Sequence, residues 1–155
     1  MKLLFKQRLF SWFDSYDIYN EAGETVYVVK GELSWGHMLR IYDTQGLELG
    51  VVEEKILTLL PKFEISLTDG RSGTIKREFS LLPSYDIDFM GWKVDGDIWE
   101  WDYTIVDNYG RTVAAISKEL LNLTDTYVLD ISNPADALAV LAFTLAMDAE
   151  KCSRS

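Results

Sequence analysis

The residues best placed to do chemistry in this chain are the carboxylates crowded between positions 86 and 107. They are Asp86, Asp88, Asp95, Asp97, Glu100, Asp102 and Asp107, with Lys93 the only base among them. In an extended strand, Asp86 and Asp88 share one face, as do Glu100 and Asp102. Carboxylates grouped in this way can ligate Ca²⁺ or serve as an acid/base pair. The twelve-residue spacing of a calcium loop is missing, however, and the solvated outer face of a strand looks the same. No catalytic residue, metal ligand or cofactor is therefore expected in this band.

The remaining reactive types are scarce. With one histidine, His37, and one cysteine, Cys152, the usual zinc sites cannot be assembled within one chain. A Ser-His-Asp or Cys-His arrangement would have to run through His37. That residue sits in Ser34-Trp35-Gly36-His37-Met38, which reads as a turn, and Cys152 lies in the polar tail from Ala149 to Ser155. Gly70-Arg71-Ser72-Gly73 is a hairpin tip, not a phosphate cradle. The expectation is a non-enzymatic binding or scaffold protein, with a carboxylate-dependent hydrolase as the rival class.

Charge limits the partners. Fifteen Lys and Arg against 25 Asp and Glu leave a net charge of −10 over 155 residues. Nucleic acid needs a basic footprint, so none is expected as a partner, and adhesion to anionic membranes is disfavoured. The N-terminal apolar stretches are broken by Lys2, Lys6 and Arg8 and carry no small-residue cleavage site. The longest uncharged apolar run, Ala137 to Met147, falls short of the roughly 18 residues of a spanning helix. The cytoplasm is the expected location, with at most peripheral membrane contact. A composition 48% hydrophobic and 26% charged is that of one folded domain over residues 1–155.

Most of the chain alternates apolar and polar residues between turn signals, the mark of antiparallel strands. Thr25 to Glu32, Leu39 to Asp43, Phe63 to Leu67, Gly73 to Phe79, Tyr85 to Met90, Ile98 to Val106, Arg111 to Lys118 and Thr126 to Ile131 all read this way. Asn20-Glu21-Ala22-Gly23, Asp43-Thr44-Gln45-Gly46 and Asp107-Asn108-Tyr109-Gly110 repeat one hairpin formula, with Asp or Asn first and Gly fourth. A shift of 64 residues aligns Trp35 with Trp99, Asp43 with Asp107, Gly46 with Gly110, Leu57 with Leu121 and Leu59 with Leu123. It also aligns Phe63 with Tyr127 and Ile65 with Leu129, an echo that reads as duplication of one sheet unit. Trp92, Trp99 and Trp101 alternate with charge and are expected to pack in the wall.

The C-terminus departs from this pattern. Asn133-Pro134-Ala135-Asp136 is a helix start, with an Asn cap, Pro at the first helical position and a carboxylate in the first turn. The run that follows, Ala137 to Met147, is apolar on every side of the helical wheel. Too short to cross a membrane, such a helix must be enclosed by protein. At 1.5 Å per residue a helix from Pro134 to Lys151 spans roughly 27 Å, about the height of a small barrel. A closed sheet around it would also leave no bare edges. The strands, over about 1–132, are thus expected to form a β-barrel around a central helix over about 134–151.

The sequence resembles the LURP-one-related (YxjI-type) family over essentially its whole length. The resemblance rests on Gly91-Trp92-Lys93-Val94, on Tyr103-Thr104-Ile105-Val106-Asp107, and on Gly110-Arg111-Thr112-Val113-Ala114-Ala115-Ile116-Ser117-Lys118. It is most specific in Asp125-Thr126-Tyr127-Val128-Leu129-Asp130-Ile131, followed by Asp136, Ala137 and the apolar helix up to Met147-Asp148. Val94-Asp95-Gly96-Asp97 is more acidic than the family pattern. The resemblance implies a twelve-stranded antiparallel barrel around one helix, similar to the Tubby C-terminal domain and phospholipid scramblases. It implies no enzymatic activity. Through the phosphoinositide binding of Tubby-like domains it directs attention to two basic groups, Lys2, Lys6 and Arg8, and Arg71, Lys76 and Arg77. The second group is the candidate contact for an anionic headgroup, and the partner is expected to be either a protein or such a lipid.

Overall fold

The structure, a computed structural model, describes residues 1–6, 15–34, 36–56, 60, 62–78, 84–121 and 124–152. Twelve strands form one antiparallel sheet. They are β1 (Lys2–Lys6), β2 (Ser15–Tyr19), β3 (Thr25–Ser34), β4 (Gly36–Tyr42), β5 (Glu48–Lys55) and β6 (Lys62–Leu67), then β7 (Ser72–Arg77), β8 (Tyr85–Asp88), β9 (Lys93–Asp97), β10 (Asp102–Val106), β11 (Thr112–Leu121) and β12 (Thr124–Ile131). The spatial order is β8-β7-β6-β5-β4-β3-β2-β1-β12-β11-β10-β9. The sheet curls into a nearly closed barrel with one seam, between the edges β8 and β9.

The hairpin formula organises one end of the barrel. At all three copies the first residue's backbone N–H donates to the carbonyl four residues on, as in Asp43 to Leu47 and Asp107 to Arg111, both 2.9 Å. Its side-chain oxygen takes two further N–H groups, at 2.9 Å each from Gln45 and Leu47 in the case of Asp43. Asp107 does the same for Tyr109 and Arg111, and Asn20 for Ala22 and Glu24. The closing glycines Gly23, Gly46 and Gly110 have φ of 78°, 85° and 77°, a conformation that costs a side-chain-bearing residue about 1 kcal/mol or more. Leu67-Thr68-Asp69-Gly70 makes the same backbone bond, Leu67 N–H to the Arg71 carbonyl at 2.9 Å, with Leu in first place.

The 64-residue echo is visible in the strand register. Leu39 faces Val52 and Ile41 faces Gly50; shifted by 64, Tyr103 faces Ile116 and Ile105 faces Ala114. The next ladder repeats as well, Gly50–Leu67 and Glu54–Phe63 becoming Ala114–Ile131 and Lys118–Tyr127. Even the bulges coincide, at Ile41/Tyr42 and Ile105/Val106. Strands β4–β6 and β10–β12 are therefore copies of one three-stranded unit. Of the echo pairs, Trp35, Leu57, Leu59 and Leu123 lie outside the described residues. The symmetry fails next to the copies: β3 is laddered to β2, whereas β9, beside β10, is an open edge.

The helix begins as the sequence requires. Asn133 Oδ1 accepts the Ala135 N–H at 3.1 Å, and a 3₁₀ turn, Pro134–Asp136, leads into α1 (Ala137–Cys152). Every residue from Ala139 to Met147 is buried. Phe143 stands in a cluster with Phe89 and Trp92, at centroid distances of 6.3 and 5.8 Å. The alanines at 137, 139, 142, 146 and 149 keep the helix thin on its remaining faces. Leu141 is 0% exposed, and an unpaired carboxylate there costs several kcal/mol, a large part of the 5–15 kcal/mol that typically holds a domain together. Leu141→Asp is expected to abolish the cooperative thermal transition seen by circular dichroism; a soluble variant with a near-native transition would mean that the helix is not enclosed.

Candidate functional site

The most elaborated polar structure lies where β9 turns into β10. Ile98 to Trp101, read from the sequence as part of a strand Ile98–Val106, is instead a tight turn. Asp97 closes it: its Oδ1 accepts the N–H groups of Trp99 at 2.9 Å and Glu100 at 3.1 Å. Trp101 completes it at φ 56°, strained for a residue with a side chain. What holds Trp101 there is packing. Its indole is buried and lies 4.0 Å from the Tyr127 ring and 6.0 Å from that of Phe5, centroid to centroid. Trp99 goes the other way and is 45% exposed, so of the three tryptophans expected in the wall only Trp92 and Trp101 are buried.

Lys151, in the last turn of α1, reaches this turn. Its ammonium donates to the carbonyls of Ile98 at 2.9 Å and Trp99 at 3.1 Å. It also lies 5.0 Å from the Trp101 ring centroid and 5.8 Å from that of Trp99, within cation–π range. Two turns deeper, Thr144 Oγ1 donates to Val140 O at 2.8 Å. The buried Tyr103 hydroxyl lies beside Thr144. Burial pushes the Tyr103 phenol well above its usual range and raises the part-buried Asp148 from 3.8 to about 6, with Lys151 opposing the rise. A turn, a buried hydroxyl pair and a carboxyl that protonates easily thus stand along one side of α1.

The family profile for LURP-one-related proteins matches residues 1–148. This chain belongs to the LURP-one-related family. The Bacillus subtilis (strain 168) protein YxjI, itself described as uncharacterized, is 30% identical over 151 residues, which is 96% of this chain and 92% of YxjI. An Arabidopsis thaliana protein of known X-ray structure shares the fold with a TM-score of 0.61, covering 95% of this chain and 90% of its own, at 12% identity. At that identity the likeness concerns fold alone. The twelve strands and single helix that the family resemblance implies are the ones found.

In this LURP-one-related chain the acidic band does not converge. Asp86 and Asp88 project from the outside of β8, and Asp95 and Asp97 from the outside of β9. Asp86 is paired with Lys76 at 3.3 Å, Asp97 and Asp107 close turns, and Asp102 stands opposite Asp97 in the ladder. Among the described residues no three His, Cys, Asp or Glu side chains are grouped to hold a metal ion. Charges on open edges do have a physical role, since they discourage other strands from pairing there. His37 is in strand β4 rather than a turn; its N–H donates to Glu54 Oε2 at 3.2 Å.

The basic groups are likewise dispersed. Arg71 sits in the hairpin tip, bound to Asp69 at 2.6 Å and to the Ala135 carbonyl at 3.4 Å; its guanidinium holds the Asp69 carboxyl below the usual range. Lys76 is on the outside of β7, and Arg77, the next residue along the strand, points to the opposite face. Lys2 and Lys6 are exposed on β1, and Arg8 is outside the described residues. Among the described residues no helix is long and apolar enough to cross a membrane.

Tyr103 and Asp148 fall within stretches that carry the family resemblance but give no sign of a site there, and within the helix the one polar departure is Thr144, a hydroxyl in an otherwise apolar run. The raised Asp148 makes stability depend on pH. A carboxyl with a folded pKa above its unfolded value binds its proton more tightly when folded. Its penalty is absent below about pH 4 and grows as pH rises through about 6. Asp148→Asn is therefore expected to be more stable than wild type at pH 8 by roughly 1–3 kcal/mol, with the gain mostly gone at pH 4. Urea melts at the two pH values measure this; equal stabilities at pH 8 would contradict it.

Proposed function

We propose that this LURP-one-related domain is a non-enzymatic binding module that meets a protein partner with its outer surface. One observation carries the reading: α1 occupies the barrel interior, the space in which some other β-barrels hold a small ligand. What is left for recognition is the outside, above all the seam face with its exposed carboxylates and Trp99. A lipid-headgroup role through Arg71, Lys76 and Arg77 has less support. Two of these cations are already bound to carboxylates, and the net charge of −10 works against an anionic surface.

The hydrolase rival places turnover on the acidic band. A panel of ester, phosphoester and glycoside substrates, assayed with wild type and with Asp86→Ala/Asp88→Ala, separates the two. The expected result is no turnover above background for either protein. Turnover by wild type that the double substitution removes would overturn the proposal.

A further inference from the structure

The turn at Ile98–Trp101 is built to hold an ammonium group, and the chain fills it with its own. Two indoles and two carbonyl oxygens surround the Lys151 Nζ. The turn and Trp101 have supports of their own besides the lysine. Asp97 folds the turn by accepting the Trp99 and Glu100 N–H groups, and Tyr127 and Phe5 fix Trp101. The cage is thus preorganised, which lowers the cost of binding. Lys151 itself is one residue from the end of α1, and helix termini open at little free-energy cost.

We infer that this cage recognises the primary ammonium of a lysine on a partner protein, and that Lys151 occupies it in cis until the partner displaces it. The inference rests on the protein-binding reading above and gives that reading a chemical class. Carbonyl acceptors require N–H donors, so a primary ammonium fits and a quaternary one forfeits both hydrogen bonds. The half-exposed Trp99 leaves the cage open to solvent. The surrounding acids, Asp97, Glu100 and Asp102, attract a lysine-bearing segment and repel the phosphate that accompanies an ethanolamine lipid headgroup.

Lys151→Gln and Lys151→Met vacate the cage and leave its walls in place. Titration with Nα-acetyl-lysine methylamide, followed by the indole N–H resonances of Trp99 and Trp101, is expected to be saturable. It should be at least about tenfold tighter in these variants than in wild type. Tetramethylammonium should bind several-fold more weakly, and adding Trp99→Ala to Lys151→Gln should remove saturation. Vesicles containing phosphatidylethanolamine should not bind either variant. Folded variants without saturable shifts, or with equal affinity for tetramethylammonium, would overturn the proposal, and preferential vesicle binding would overturn its assignment to a protein. If both variants fail to fold, Lys151 is a structural clamp and the proposal is likewise overturned. None of these failures touches the non-enzymatic reading, which substrate turnover judges separately.

Discussion

The burial of one helix that is apolar on all sides governs this structure. Val140, Leu141, Phe143, Leu145 and Met147 are all fully or nearly fully buried. At roughly 1.5–3 kcal/mol each, their gross contribution is on the order of 10 kcal/mol, comparable to the entire net stability of a typical domain. A helix with no polar face cannot rest on one side of a sheet, so the strands must surround it. The helix follows all twelve strands along the chain, so the barrel has no complete interior until α1 is in place.

Filling the interior in this way leaves the outer surface and the seam as the exposed parts of the barrel. The two copies of the three-stranded unit share register and bulges, yet only one continues through a ladder to the next strand. The other stops at β9, and there the polar features gather: edge carboxylates, the capped turn with its strained Trp101, and the end of α1. Local rules are broken here. A tryptophan takes a left-handed conformation, an aspartate is desolvated and an indole is exposed. Departures of this kind concentrate at functional sites.

The sequence made the architecture legible because its strongest signals are local. Asn20, Asp43 and Asp107 each bind two backbone N–H groups, and a glycine with positive φ closes each turn. Three such turns and one all-apolar helix are enough to specify a barrel with a core. Strands β1, β2, β5 and β9 were harder to read: β1 is flanked by Lys2 and Lys6, β5 carries Gly50 among its acids, and β9 contains Gly96 and two aspartates, all poor strand signals. The turn at Ile98–Trp101 passed for strand because tryptophan is not a turn residue and its alternation with charge mimics a pleat. Only packing against Tyr127 and Phe5 explains its conformation. The Lys151 cage was hidden for a related reason, since its parts are separated by some fifty residues and meet only when α1 is threaded through the barrel.

Enclosure of α1 is the claim on which everything else depends, and native-state hydrogen exchange tests it most directly. If the helix is the common core, the amides of Leu141 to Leu145 exchange only through global unfolding, with a free energy equal to that from denaturant melts. Exchange of these amides through a smaller opening, while the β11–β12 ladder stays protected, would contradict it.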